Sequence, residues 1–285
     1  MTWRGALVKR GSSDMRVAAI QMNSGPDVEA NLELADRLLA EAAADGCVLA
    51  ALPENFALMP VRARDKARYA EEPGQGPIQA FLSAAAAKHN LWIVCGSIPL
   101  VSPEIGAERV YGACPVYDAA GEAQALYRKI HLFDVDLVGE QESYRESNSM
   151  YPGDEVVTVA TPVGRIGLTI CYDLRFPEMF RQLVDAGATV FTVPAAFTAT
   201  TGKAHWHTLL RARAIENLAY VIAPGQYGLH PDERSTFGHS LICDPWGRVL
   251  AEQPEGNCVV AADIDPEMPA RLRSEFPALA NRRLT

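Results

Sequence analysis

No stretch of the chain approaches the roughly 20 consecutive apolar residues that a bilayer-spanning helix needs, so no membrane segment is expected among its 285 residues. The first fourteen residues hold Arg4, Lys9, Arg10 and Asp14 and lack the apolar core of a secretory leader. Met1 to Asp14 therefore reads as a disordered extension or an artefact of the chosen start, with regular structure expected from Met15. A basic surplus is missing too. Lys and Arg number 26 against 35 Asp and Glu, a net charge of −9, and Arg211-Ala212-Arg213 is too short to form the basic face that nucleic acid requires. Cysteine is sparse, six in all, at Cys47, Cys95, Cys114, Cys171, Cys243 and Cys258. Without a C-x-x-C pair, neither a disulfide framework nor a zinc knuckle is indicated, and a reducing cytoplasm is the expected compartment. The metalloprotease pattern H-E-x-x-H is also absent. His205 and His207 lie two apart on an expected helix and face different ways, so no metal site is expected.

What is present is an ordinary globular balance, 48% hydrophobic and 21% charged, enough for a large core. No internal repeat or low-complexity linker interrupts it, so residues 15–285 are expected to form one domain. The pattern alternates strands with helices. Arg16 to Met22 reads as a strand. Glu29 to Ala44 repeats apolar residues at helical spacing, and Cys47 to Leu52 is a short apolar run ending at Pro53-Glu54. A helix over Ile78 to His89 precedes a strand over Leu91 to Ile98. Val110 to Tyr117 and Ala123 to Lys129 make a hairpin, followed by a polar loop from Asp134 to Asp154. Val156 to Val159 and Arg165 to Ile170 pair and end at Cys171. Helices over Pro177 to Asp185 and Lys203 to Asn217 alternate with strands over Ala188 to Val193 and Tyr220 to Ala223. A hairpin (Ser240 to Asp244, Val249 to Ala251), a strand (Val259 to Ile264) and a short helix (Pro266 to Phe276) close the chain. Such alternation predicts helices covering mixed sheet, an α/β fold.

Three residues can do chemistry. Cys171 ends an apolar strand before a polar loop and a helix opened by Pro177. A thiol there is approachable, and the backbone N–H groups after it can face an oxyanion. Glu54 is delivered by an apolar strand, and burial is expected to raise its pKa into the range of a proton shuttle. Lys129 ends a hairpin and can hold an ammonium at a carbonyl oxygen. Each taken singly reads as an inert core thiol, a solvated glutamate or an exposed basic strand end. Their common position at strand ends suggests that one sheet converges all three.

The blocks that carry them, ALPENF at Glu54, YRKIHLFDVD at Lys129 and GLTICYDLRFPE at Cys171, resemble the nitrilase (carbon–nitrogen hydrolase) superfamily in order and spacing. Arg145-Glu146-Ser147-Asn148 before Pro152-Gly153-Asp154, the run AHWHTLLRARAIEN and GHSLICDPWGRV extend the likeness from Met15 onward. The resemblance implies a four-layer α-β-β-α sandwich with mixed sheets that forms homodimers, or higher homo-oligomers, through its helices. It implies Glu54, Lys129 and Cys171 as a catalytic triad, Glu146 as a second glutamate orienting Lys129 and substrate, and the backbone of Tyr172 as an oxyanion donor. No cofactor is implied. The C-Y-D-L-R-F-P-E block resembles the amidase-type Nit branch, which implies a small-molecule amide substrate with an α-ketoglutaramyl group, as in deaminated glutathione. ω-Amidase, carbamoyl amidohydrolase and a catalytically silent binding protein on the same fold are the alternatives. Arg175 is a candidate for framing the substrate, or equally a structural arginine. Pro224-Gly225-Gln226-Tyr227 departs from the branch's small residues, so Tyr227 is expected to reshape the pocket, and Val138 stands where a proline before Gly139 is common. A Cys–His pairing of Cys171 with His131 or His239 has no supporting block, and His131 is expected to buttress the loop after Lys129.

Overall fold

The computed structural model describes residues 14–101, 109–137, 142–231 and 233–284. Residues 1–13 of the expected extension, and the Val138-Gly139 step, lie outside them. The strands run β1 (Met15–Gln21), β2 (Cys47–Ala51), β3 (Trp92–Val94), β4 (Ile98–Leu100), β5 (Tyr111–Tyr117), β6 (Ala123–Arg128), β7 (Asp134–Leu137) and β8 (Glu142–Arg145). They continue with β9 (Thr158–Thr161), β10 (Gly164–Leu168), β11 (Val190–Thr192), β12 (Tyr220–Ala223), β13 (Tyr227–Leu229), β14 (Ser235–Phe237), β15 (Ser240–Cys243), β16 (Val249–Gln253) and β17 (Cys258–Ile264). The helices are α1 (Val28–Ala44), α2 (Pro77–His89), α3 (Pro177–Asp185), α4 (Ala199–Asn217) and α5 (Met268–Glu275).

Two sheets result. The first has the order β17-β1-β2-β3-β5-β4 with β6 also on β5, and the second β16-β15-β12-β11-β10-β9. β1, β2 and β3 run parallel, as do β10, β11 and β12, while the flanking pairs are antiparallel. Strand periodicity shows why they stack. Along β1 and β2, Val17, Ala19, Leu49 and Ala51 join the core shared with Ile166, Val190 and Val221 of the second sheet. The intervening Ala18, Ile20, Ala50 and Leu52 join a separate core with Ala35 and Leu39 of α1 and Leu82 of α2. Helices α3 and α4 cover the other face of the second sheet. An interior strand apolar on both faces must be covered twice, and the outcome is the four-layer α-β-β-α sandwich of mixed sheets.

Local chemistry sets the boundaries. Asp27 caps α1 by accepting from the Ala30 amide at 3.2 Å. α4 begins at Ala199, four residues before the expected Lys203, because Thr198 caps it through the Thr201 amide. Its first turn holds two threonines and Gly202, poor helix formers that hide it from pattern reading. The expected strand over Leu91 to Ile98 is broken into β3 and β4 at Gly96, whose φ is +63°. A Cβ there would lie 2.0 Å from the Pro53 carbonyl oxygen, so only glycine lets the two chain segments touch. Within the expected loop 134–154, β7 and β8 form a hairpin. Its strands are polar and pinned by Arg145, which donates to both Asp136 oxygens at 2.9 and 2.8 Å, so no alternation of apolar residues announced it. The β13–β14 hairpin was missed for the same reason.

Candidate active site

β2 ends two residues before Pro53-Glu54, β6 ends immediately before Lys129, and β10 ends three residues before Cys171. The first two strands belong to one sheet and the third to the other. The expectation of a single converging sheet is therefore corrected: the residues meet at the seam between two sheets. All three line one cavity of about 310 Å³, with Glu146, Tyr172, Phe133, Tyr144, Phe197 and Thr198 among its other walls.

Lys129 is the hub. Its side chain is 2% exposed, and its Nζ donates to Glu54 Oε1 at 2.9 Å and to Glu146 Oε1 and Oε2 at 3.0 and 2.8 Å. Burial pulls its pKa down, but Glu146 and Glu54, helped by Cys171, hold the ammonium well above the ordinary lysine value. Glu146, in the turn after β8, is itself anchored by the Phe133 amide at 2.7 Å. Glu54 Oε2 accepts from the Ala196 amide at 2.8 Å. The expectation for Glu54 needs correcting. Burial is the largest influence and pushes its pKa up, yet the Lys129 charge and hydrogen bond, with Lys66 and the Cys171 thiol, bring it below the ordinary glutamate value. It rests as a carboxylate. Cys171 moves the other way: burial and then the negative charge of Glu54 raise its pKa far above the usual cysteine value against the pull of Lys129. It rests as a thiol.

The backbone around Cys171 is specified in detail. Its φ is +49°, in the left-handed region that non-glycine residues avoid, and its amide donates to the Pro194 carbonyl at 2.8 Å. Asp173, fully buried, fixes the turn by accepting from the Ile170 amide at 2.8 Å and from the Tyr127 hydroxyl at 2.7 Å. Its other oxygen accepts from the His131 amide at 3.1 Å and hydrogen-bonds His131 Nδ1 at 2.7 Å. Within the backbone hydrogen-bond pattern of the described residues, the Tyr172 N–H has no acceptor. A dipole beside the thiol is thereby left for an incoming oxygen.

The remaining expected residues fare differently. Arg175 does not line the cavity. Its guanidinium lies over the rings of Phe197 and Tyr172, 5.1 and 5.8 Å from their centroids, and 3.3 Å from His205 Nδ1, so it backs two cavity walls rather than touching the contents. Tyr227 is not a wall either, which corrects the expected reshaping of the pocket: it sits in β13 opposite Phe237. Its neighbour Gln226 matters more, donating to the Glu54 carbonyl at 3.1 Å and to Ser24 Oγ at 2.8 Å. His131 stacks on Phe176 with centroids 3.6 Å apart, a buttress as expected, and neither it nor His239 lines the cavity. The Cys–His alternative has no geometry. The expectation of no ligand cluster is also corrected. His207, His239 and Glu252 bring ligand atoms within 4.8 Å of one another, because α4 and β16 meet there, but the Glu252 carboxylate already bonds both rings, and none of the three lines the cavity. Lys66 and Arg234 escaped the sequence reading because each lies in a polar stretch that reads as solvated surface, and Gln226 was singled out only as part of the Pro224–Tyr227 departure, with no role.

No described helix is long and apolar enough to cross a membrane. The carbon-nitrogen hydrolase family model matches residues 16–274. A protein from Yersinia enterocolitica called deaminated glutathione amidase is 38% identical over 94% of this chain and 92% of its own. The Caenorhabditis elegans NitFhit protein superposes with a TM-score of 0.88 at 36% identity, over 95% of this chain and 65% of that longer one. Saccharomyces cerevisiae Nit3, described as a member of branch 10 of the nitrilase superfamily, gives 0.85 at 32% identity over 96% and 98%. With the family's domain running through nearly its whole length, the protein belongs to the carbon–nitrogen hydrolase family, as an amidohydrolase of the nitrilase superfamily acting on C–N bonds other than peptide bonds.

Proposed function

We propose that the protein hydrolyses deaminated glutathione, or a closely related amide of an α-keto dicarboxylic acid, through a thioester on Cys171. The observation that carries the chemistry is the meeting of one carboxylate, one ammonium and one thiol in a cavity sized for a small molecule. Support for the substrate comes from relatives called deaminated glutathione amidase, 38 to 41% identical over nearly the whole chain.

In this reading, sulfur attacks the amide carbon while the thiol proton passes to Glu54. The resting thiol is a weaker acid than Glu54, so proton transfer is uphill alone and proceeds together with C–S bond formation. The oxyanion is met by the Lys129 ammonium and the Tyr172 N–H. Glu54 returns the proton to the departing amine as the C–N bond breaks. It then takes a proton from water attacking the thioester, and the thiolate leaves and is reprotonated. Glu146 holds Lys129 charged and in place.

The test is product release from deaminated glutathione, α-ketoglutaramate, a carbamoyl amino acid and a nitrile side by side, with intact-mass detection of the Cys171 acyl adduct. A preference for the ureido compound or nitrile overturns the substrate. No turnover of any member by the wild type favours a silent binding protein. The reading also includes residues 15–285 as one domain, a cytoplasmic location and a homodimer paired through its helices. A monomer in sedimentation at micromolar concentration would remove the last.

A further inference from the structure

Outside the cavity, helix α4 turns a second face to the β15–β16 hairpin. His207, Arg211 and Ile215 recur every four residues along it, and each meets that hairpin. Arg211 Nε donates to the Gly247 carbonyl at 2.8 Å, a Cβ on Gly247 would run into Ile215, and His207 Nε2 lies 2.7 Å from Glu252 Oε1. Side chains four apart share one face of a helix, so the spacing that seats Arg211 also aims His207. Glu252 stands opposite Leu241 in the β15–β16 ladder. His239, just before β15, has a φ of +53° and is held at both ends. Its amide donates to the Pro254 carbonyl at 3.1 Å, and its carbonyl accepts from Trp206 Nε1 at 2.9 Å.

What converges there is a set of metal-ligating groups. His239 Nδ1 and His207 Nε2 lie 2.5 and 2.7 Å from the same oxygen, Glu252 Oε1. A carboxylate that had only to satisfy two imidazoles would offer each an oxygen, yet among the described residues Oε2 has no partner. Both rings are fixed in orientation. Phe237 stacks on His239 with centroids 4.2 Å apart and meets His207 edge-on at 5.9 Å. The other nitrogen of each ring has no hydrogen-bond partner among the described residues, so the ring proton can move to it and free the inward lone pair. The three side chains are 26 to 36% exposed, which leaves an ion a way in.

From this geometry we infer that His207, His239 and Glu252 bind a divalent transition-metal ion of the zinc kind, with water as the fourth ligand. Two imidazoles and a carboxylate suit zinc and its neighbours, whereas magnesium and calcium take shells of oxygen. Nitrogen and oxygen ligands about 2.0–2.1 Å from a tetrahedral ion stand about 3.4 Å apart. The carboxylate therefore retreats by about 1 Å or less, and the nitrogens, already within 4.8 Å of one another, draw in. The hydrogen bonds from the two rings to Glu252 are what the ion replaces, and they hold the ligands together until it arrives. With ligands from α4, from the residue before β15 and from β16, the ion fastens helix to hairpin. It takes no part in the amide chemistry, and the inference does not rest on the proposed amidase reading.

The test uses the full chain, freed of metal with a chelator and carrying Cys171→Ala so that the nucleophile is not a ligand. Calorimetric titration with ZnCl2 is expected to give one ion per chain with a Kd of about 10 μM or tighter. Glu252→Gln still offers the rings an oxygen, and His239→Asn tolerates the left-handed backbone. Each is expected to weaken zinc by at least the 10- to 100-fold or so that loss of an outer-shell partner alone costs. Zinc at about 100 times its Kd should raise the melting temperature by about 5 °C or more, and MgCl2 should leave it unchanged. Binding weaker than that Kd, binding undiminished in both variants, or an equal response to MgCl2 overturns the site. Should either variant fail to fold, His207→Gln, at a part-exposed helical position, carries the same comparison.

Discussion

Lys129 shows how one side chain can serve stability and chemistry together. Its ammonium is shared by the buried Glu54 and the half-buried Glu146 carboxylates, so Lys129→Met strands both charges. Breaking a buried pair by removing one partner costs about 3–5 kcal/mol, and urea denaturation should show a loss of that size together with lost turnover. Glu54→Gln is milder for the fold and severe for the reaction. It keeps the side-chain shape without the proton acceptor, but its NH2 must face either the Lys129 ammonium or the Ala196 N–H, so kcat should fall by about 10³ or more with a loss of stability of about 1–3 kcal/mol, below that of Lys129→Met. Lys66 contributes a pH signature. Its pKa, pushed down to about 8 by burial against the pull of Glu146 and Glu54 and with the opposition of Lys129 and Arg234, means the cation is present below that value and lost above it. The positive charge that lines the cavity therefore falls as pH climbs past 8, while Lys129 keeps its proton.

Elements differed in how much of them could be read beforehand. Strands β1, β2 and β12 and helix α3 were plain, because an apolar run bounded by Pro, Gly or Asn leaves little choice of structure. Glu54 was legible on the same ground, as the first charged residue beyond such a run. The β3–β4 break was not, since Gly96 lies within Leu91 to Ile98 and its partner, the Pro53 carbonyl, is 43 positions away. That contact makes a prediction. Gly96→Ala forces a methyl against the backbone just before Glu54 at a positive φ, so it should cost about 2 kcal/mol or more and lower kcat by shifting Glu54. An unchanged melting temperature would contradict the crowding. The β7–β8 hairpin was illegible for a different reason. Its order comes from the Arg145–Asp136 fork and a serine hydroxyl, interactions that leave no periodic trace.

At the scale of the whole molecule, the site exists only because two sheets are stacked in one register. The three motif blocks marked which residues to join, and composition marked a large core, but nothing local said that Cys171 would come from a different sheet than Glu54 and Lys129. Asp173 carries much of that registration. Tyr127 at the end of β6 and His131 after Lys129 reach it from the first sheet, and the Ile170 amide reaches it from the Cys171 turn. Asp173→Ala would leave a buried hydroxyl and two amides without acceptors, each costing about 1–3 kcal/mol. The expected result is a loss of at least about 3 kcal/mol in chemical denaturation and a fall in kcat larger than in KM, since the thiol and ammonium lose their common frame. A variant with full activity and stability would mean that packing alone aligns the sheets.

The resting protonation of Cys171 has a consequence for the life of the molecule between turnovers. Peroxides and electrophiles consume thiolate, not thiol, and here burial and the neighbouring anion keep sulfur in its unreactive form. The nucleophile is dormant until a carbonyl arrives to make deprotonation worthwhile. Iodoacetamide at neutral pH should modify it more slowly than it modifies free cysteine, and hydrogen peroxide should inactivate the enzyme sluggishly, so that a redox-damaging interior would spare this catalyst longer than one whose thiol is ionised at rest.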